Sequence, residues 1–552
     1  MVAQPIDRDA ARVVNERFKL HGFSLTSDAI RLILSRIGAS GTPNRDDVDR
    51  VLKIIGQVEH TSSTLSAEVI ERAFAERGAD DSVVGVGVDV DDDEARATGT
   101  DRASGSDGLT VCDAHATRRY AYDAQRRTFD ETRRAARAAG QAESKIDLYR
   151  DRFLLLQQRL ARSRQFARSS LKGTRREEGA ELSTINSLLG VSKEKKYIMG
   201  LLSQLEDGVF YMEDLSGTIR VDLTVCERSI GLFTENCVVL AAGEVRPDGV
   251  FEVLELTFPP SEKRAATREA TSAIDFFGAG HVIRPYEVED LERKEQERVG
   301  EAFVVLSDVW LDQPRTFDRL AKMFELFDAQ DDVPGLMVFM GDFSSQPFGP
   351  THCDFQAYIE GFERLAEMLQ DFPRLRQESR FVFVPGPGDP GLSAALPRPA
   401  LQKSLVGSFV EKVPRAQFAS NPAKIRYFSQ DLVFFRDDLQ AKMRRNCLIP
   451  PDDDKLTDKQ EWPVFQHLVA TLVQQAHLCP LPLTQSPIYW EFDHSLWLYP
   501  APNFIFLGDR SETQCAAMND ETSLMNPGCF ADDGSFLFYR PATRTYDFSA
   551  VP

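Results

Sequence analysis

Three aspartates in the second half of the chain each follow a short apolar run and a tight turn. Asp308 comes after Phe303 to Leu306 and Ser307, Asp342 after Leu336 to Met340 and Gly341, and Asp389 after Phe381 to Val384 and Pro385-Gly386. Carboxylates gathered at strand ends hold hard divalent cations, and a pair of such cations can clamp the attacking and leaving oxygens of a displacement. Imidazoles would strengthen such a site. The histidines after residue 300 are His352, His467, His477 and His494, and each stands alone. His477, in Gln475-Ala476-His477-Leu478-Cys479, is the nearest candidate, but a lone histidine among apolar residues is more often a hydrogen-bonded core residue.

The elements that would position these carboxylates can be read from periodicity. The three apolar runs predict buried strands. Between them lie two helical stripes, Leu320, Met323, Phe324, Phe327 and then Phe355, Ile359, Phe362, Leu365, Ala366, Leu369. Strand and helix in alternation predict a layered α/β sheet over residues 301–552, with ligand sites at the carboxyl ends of its strands.

In that order the three aspartates resemble the calcineurin-like metallophosphoesterase family, whose motifs run Asp-x-His, Gly-Asp-x-x-Asp and Gly-Asn-His-Asp/Glu, followed by Gly-His-x-His. The resemblance implies a site that has been largely erased. Asp308-Val309-Trp310 puts Trp310 where the first histidine belongs, and Gly341-Asp342-Phe343-Ser344-Ser345 puts Ser345 where a second carboxylate belongs. Gly386-Pro387-Gly388-Asp389 offers Pro387 and Gly388 in place of the asparagine and the histidine. Asp308 and Asp342 survive as ligands, too few to hold a cation firmly. The expectation is no catalytic residue, no metal and no cofactor. A working metal-dependent phosphodiesterase or nuclease is the alternative.

The rest of the chain divides by composition. At 552 residues it predicts three or four units. Residues 1–77 read as four short helices, among them Ala29, Ile30, Ile33, Leu34, Ile37 stopped by Gly38, and Val48, Val51, Leu52, Ile55 capped by Asn44 and Asp47. Residues 78–110 are a Gly-, Ser- and Asp-rich linker with an acidic run from Asp89 to Glu94. Residues 111–195 form a connector whose segment from Ser144 to Gln165 is a basic amphipathic helix in search of a core. Residues 196–262 break into short strands at Asp207-Gly208, Ser216-Gly217 and Asp248-Gly249, the pattern of a small β-barrel for which an OB-fold is the candidate. A further connector spans 263–300.

Net charge is −20, so the surface as a whole repels nucleic acid unless a basic patch is segregated from the rest. The barrel makes the point locally: from Tyr197 to Pro260 it has three arginines, Arg220, Arg228 and Arg246, against eleven carboxylates. That balance favours protein contact over single-strand binding. Eight cysteines without a C-x-x-C pair exclude a zinc module and read as reduced core residues. No apolar run approaches the roughly 18 residues of a membrane span. The first residues lack a signal or transit pattern, so the protein is expected to stay inside the cell.

An OB-fold followed by an inactivated phosphoesterase domain resembles the B-subunit family of eukaryotic replicative DNA polymerases. The segments SKIDLYRDRF from Ser144, QDLVFFRDDL from Gln430, HLCPLP from His477 and NPGCF from Asn526 look like its epsilon branch, as does a four-helix start similar to the lid of AAA+ ATPases. The B subunits of the alpha and delta branches are the alternatives. The resemblance implies a non-catalytic accessory subunit in the nucleus. It implies a clasp on the zinc-bearing C-terminal region of the catalytic polymerase chain, docking of residues 1–77 on the GINS part of the replicative helicase, and DNA met only within the complex. Trp310 is expected to fill the vacated metal pocket, and the aromatic segment from Ile488 to Leu498 to lie in the core.

Overall fold

A computed structural model describes residues 108–552 except 133, 164, 167–179, 189, 191–193, 272–273, 350–351, 452–455, 457–461 and 519–520. Before 108 it describes residues 11, 14–15, 18–19, 24–37, 64–65 and 70. The chain divides into two units at Thr98/Gly99. In the first, the expected helix runs Ser27–Ile37 with Ala29 and Ile33 buried, and two short strands, Ser24–Leu25 and Thr64–Leu65, pair in parallel. The helix expected around Val48 to Ile55, and with it the four-helix count and the lid likeness, lies outside the described residues.

The second unit holds a barrel and a sandwich. The barrel strands are Lys196–Glu206, Val209–Glu213, Thr218–Asp222, Val238–Val245 and Phe251–Thr257. The first pairs with the second and fourth, the second with the third, and the fifth with the fourth. A parallel pairing of Phe251 and Glu252 with Val221 and Asp222 closes the ring. Five strands closed in this order form the expected OB-fold. Alternate residues, among them Ile198, Leu202, Val239, Ala241, Phe251 and Val253, fill its interior.

The sandwich has two six-stranded sheets. One contains Phe303–Ser307, Leu336–Met340 and Arg380–Val384 in parallel, extended by Ala416–Phe418 on one side and by Ser535–Arg540 and Thr545–Ala550 on the other. The other runs Gln514–Met518, Thr522–Asn526, Phe504–Gly508, Gln430–Arg436, Ala423–Tyr427 and Leu109–Asp113.

Side-chain alternation builds four layers from these strands. Phe303, Val305, Leu336, Val338 and Val382 of the first sheet meet Leu432, Phe434, Phe504 and Phe506 of the second in one core. The intervening Val304, Leu306, Met337, Phe339, Phe381 and Phe383 face the helices Pro314–Asp328, Phe355–Gln370 and Lys403–Lys412. Val433, Phe435, Ile505 and Leu507 face the helix Val464–Gln475. Every strand of the three-aspartate region is buried on both faces, which is why it reads as a continuous apolar run.

Several details differ from the sequence-based expectation. Phe355 opens its helix beside the Asp354 cap and is half exposed, and Tyr358 takes the buried place. Cys353 and Cys515 are exposed, whereas Cys112, Cys226, Cys237, Cys479 and Cys529 are buried; all eight are free thiols. Leu109–Asp113, split between the expected linker and connector, is an edge strand of the second sheet, paired with Ala423–Tyr427. The barrel is therefore inserted between the first strand of the sandwich and all its others.

The amphipathic helix, Ala142–Leu160, finds its core between the two bodies. Phe153, Leu155, Leu156 and Leu160 pack with Met199, Val238 and Leu240 of the barrel and with Trp497 and Tyr499 of the sandwich. Gln475 continues the junction, its amide receiving a bond from Val238 N at 2.9 Å and donating to Val238 O at 2.8 Å. No helix among the described residues is long and apolar enough to cross a membrane.

Candidate functional site

Parallel strands Phe303–Ser307, Leu336–Met340 and Arg380–Val384 deliver Asp308, Asp342 and Asp389 to one end of the first sheet. Asp308 is fully buried and takes a positive φ of 55°. Its Oδ1 receives the Asp342 N–H at 3.3 Å. Asp342 Oδ1 receives the Gly388 N–H at 2.8 Å. Asp389 accepts from the N–H groups of Phe343 at 2.8 Å and Gly386 at 2.7 Å and from the Tyr358 hydroxyl at 3.1 Å. The loops pass so closely that only glycine fits at 341, where a Cβ would collide with Asp389 Oδ2.

The second sheet contributes what the sequence reading missed. Arg436 ends the strand Gln430–Arg436 and is wholly buried. Its Nη2 donates to Asp308 Oδ1 at 2.9 Å and lies 3.8 Å from Asp342 Oδ2, and its Nη1 donates to Asp438 at 2.9 Å and to Gly508 O at 3.1 Å. Arg510 follows the neighbouring strand Phe504–Gly508 and donates to Asp342 Oδ2 at 2.7 Å and to Asp308 Oδ1 at 3.3 Å. Two guanidinium groups thus occupy the oxygens that a cation would need. In the sequence Arg436 ends the apolar run of QDLVFFRDD and Arg510 lies two residues past the one in FIFLGDR, positions that do not by themselves tell either from a solvated arginine.

The electrostatics follow from this packing. Burial pushes Asp342 above the usual carboxylate range, with Arg436 opposing it. Burial and the neighbouring Asp342 push Asp389 up to about 7. Burial alone would discharge Arg436, but Asp308, Asp342 and Asp438 hold it firmly charged.

The other singled-out positions are distributed around this centre. Trp310 is half-buried, with the Arg510 guanidinium 5.7 Å from its ring centre and no partner for its indole N–H among the described residues. It therefore lies against an arginine. Ser345 turns away and bonds Asp312 through N–H and hydroxyl at 3.0 and 2.5 Å. Pro387 contributes a carbonyl to Arg398 at 2.7 Å. No group of three or more His, Cys, Asp or Glu among the described residues is arranged to hold a metal.

His477 sits elsewhere, buried between the helix Val464–Gln475 and the turn Trp490–Leu496. Its Nδ1 accepts from Cys479 N at 2.9 Å, so Nε2 carries the proton and donates to Asp493 at 3.2 Å. Asp493 is also held by Arg152 at 3.0 and 2.5 Å and by the Trp497 indole at 3.1 Å. Burial and Arg152 push His477 down to about 4. It is the hydrogen-bonded core residue the sequence reading favoured, and the segment around it is core as expected.

Known proteins match this chain over nearly its full length. The family model described as the DNA polymerase alpha/epsilon B subunit covers residues 303–516, and the one described as the OB-fold domain of DNA polymerase epsilon subunit 2-like proteins covers 142–260. The chain is 37% identical over 541 residues to the DNA polymerase epsilon B subunit of Arabidopsis thaliana, covering 98% of each. It is 32% identical over 543 residues to DNA polymerase epsilon subunit 2 of Homo sapiens, covering 97% of each. The match to the epsilon B subunit of Schizosaccharomyces pombe is 31% over 431 residues, 76% of this chain and 72% of that one.

Proposed function

The chain belongs to the family of DNA polymerase epsilon B subunits, and from that premise we propose that it scaffolds the polymerase without performing chemistry of its own. As an accessory subunit in DNA replication it works in the nucleus. Its barrel and sandwich clasp the zinc-bearing C-terminal region of the catalytic chain, residues 78–110 act as a tether, and residues 1–77 dock on the GINS part of the helicase. A tether of roughly thirty residues raises the local concentration of one machine beside the other while leaving both free to turn.

The observation that supports the non-catalytic reading is Arg436, fully buried on Asp308 and Asp342 at the end of a phosphoesterase-like sandwich. A metal-dependent hydrolase needs those carboxylates open to cations and water. Here fixed guanidinium charges take the place of the ions, and Trp310, Pro387 and Gly388 take the place of ligands. The frame stays rigid without metal, and its loops are free to serve as a docking surface.

The test has two arms. Purified protein with manganese and a model phosphodiester is expected to show no turnover above an Asp308→Ala/Asp342→Ala control; turnover above that control overturns the scaffold reading. Co-expression with the C-terminal regions of the epsilon, delta and alpha catalytic chains is expected to retain only the epsilon chain. Deleting residues 1–77 is expected to abolish helicase binding and leave the polymerase complex intact.

A further inference from the structure

One stretch reverses the acidic balance of the chain. Residues 117–140 carry seven arginines against three carboxylates in a protein of net charge −20. The strands Tyr120–Asp123 and Thr128–Glu131 pair as a hairpin within this stretch. Arg126 and Arg127 lie at its tip, Arg118 at its base, and Arg134 and Arg137 on the irregular segment that leaves it, all exposed. Arg118 pairs with Glu131 and Arg126 with Asp123 and Asp130. The side chains of Arg127, Arg134 and Arg137 have no ion pair or hydrogen bond with a described residue.

The hairpin's aromatics are already committed. Tyr122 packs on Phe129 at 5.0 Å, Phe129 on Phe276 at 5.0 Å and on Tyr499 at 6.1 Å, and Tyr120 on Phe276 at 5.2 Å. Among the described residues of this stretch the exposed side chains are therefore cationic in balance, with no aromatic or large aliphatic anchor. Protein interfaces are centred on such anchors, and single-stranded nucleic acid is gripped by stacking on exposed rings. A cationic ribbon without either matches the phosphate backbone of a duplex, which guanidinium groups bind in bidentate fashion.

We propose that the hairpin of residues 117–140 contacts duplex DNA through its phosphates, with Arg127, Arg134 and Arg137 as the principal contacts. This rests on the chain being a polymerase subunit. It also gives that subunit its own point of contact with the template, independent of the barrel.

The test compares the full chain with its Arg127→Gln/Arg134→Gln/Arg137→Gln variant on a labelled duplex, by anisotropy from about 50 to 200 mM salt. The variant is expected to bind about tenfold or more weakly at the low end, with a salt slope shallower by roughly two to three. The matching Arg→Lys variant should keep most of that slope. Unchanged affinity and slope, or no duplex binding by the parent chain, overturns the proposal. So does a hairpin-dependent preference for single strands. If the Gln variant keeps its DNA affinity but no longer co-purifies with the catalytic chain, the patch is a protein contact and the proposal fails. Failure of the parent chain to co-purify would instead count against the subunit reading.

Discussion

Two of the clusters in which the molecule buries carboxylates are neutralised differently. At the strand ends, Asp308 and Asp342 share Arg436 and Arg510, while Asp389 receives only backbone N–H groups and a phenol and is pushed up to about 7. At the junction of helix and turn, Asp493 takes Arg152, His477 and Trp497 together, and its carboxyl is held well below the usual range despite its burial. The first cluster holds three aspartates with two arginines, and the arginines reach only two of them. The second is saturated and reads as architecture. The strand-end carboxylates and the buried histidine are thus both tied up by neighbours, in different ways: the first by two guanidinium groups, the second by bonds at both ring nitrogens.

Removing the buried cation of the strand-end cluster should produce the largest effect. Arg436→Ala leaves two buried carboxylates with only the half-exposed Arg510 and is expected to cost about 3–5 kcal/mol by chemical denaturation, enough to lose folded protein at 37 °C. A stability within 1 kcal/mol of the parent would show that the strand-end charges were never coupled. An Asp308→Asn/Arg436→Met double change should recover part of the loss, because it removes charge from both sides.

Acid should separate the clusters by sign. His477 and His494 are neutral when folded, each pushed down to about 4 by burial first, so the unfolded chain takes their protons from pH 6.5 downward. Their contribution, complete above pH 6.5, is lost as pH falls toward 4, by about 2 kcal/mol per histidine at pH 5. Asp389 works the other way. With its folded carboxyl raised, its contribution is fully present below about pH 4 and disappears as pH rises through 7. Melting curves between pH 5 and 7.5 are expected to lose acid sensitivity in His477→Gln and to gain it in Asp389→Asn. Parallel shifts in both variants would contradict the assignment.

The smallest effect is expected from Arg510→Ala. This side chain is 41% exposed, and Arg436 remains behind it, so a loss of about 1 kcal/mol is expected, with a change in tryptophan emission as Trp310 loses its neighbour. A loss as large as that of Arg436→Ala would make the two guanidinium groups a single unit.

Much of the sandwich was legible because strands covered on both faces must be apolar throughout: Phe303–Ser307 and Leu336–Met340 announce themselves. The barrel was legible from its turns, such as Gly208 with its φ of 73° between the first two strands. Arg436 was not, since an arginine reads as solvated until the opposing sheet places carboxylates beside it. Tyr358 was missed in favour of Phe355 because the helical period fixes a stripe but not its starting turn. Leu109–Asp113 offered only five residues, and the strand that makes sense of them lies far along the chain.

That edge strand also sets a clock on synthesis. Asp113 emerges about 310 residues before Ala423, which at about 5–20 residues per second is a wait of roughly 15–60 s for its pairing partner. The whole barrel is made within that interval and can close while the strand before it is still unpaired. A ribosome that stops between them releases a finished barrel trailing an orphaned strand. Quality control of truncated chains should therefore act on the sandwich half, where the polymer must return to its own beginning before the fold is complete.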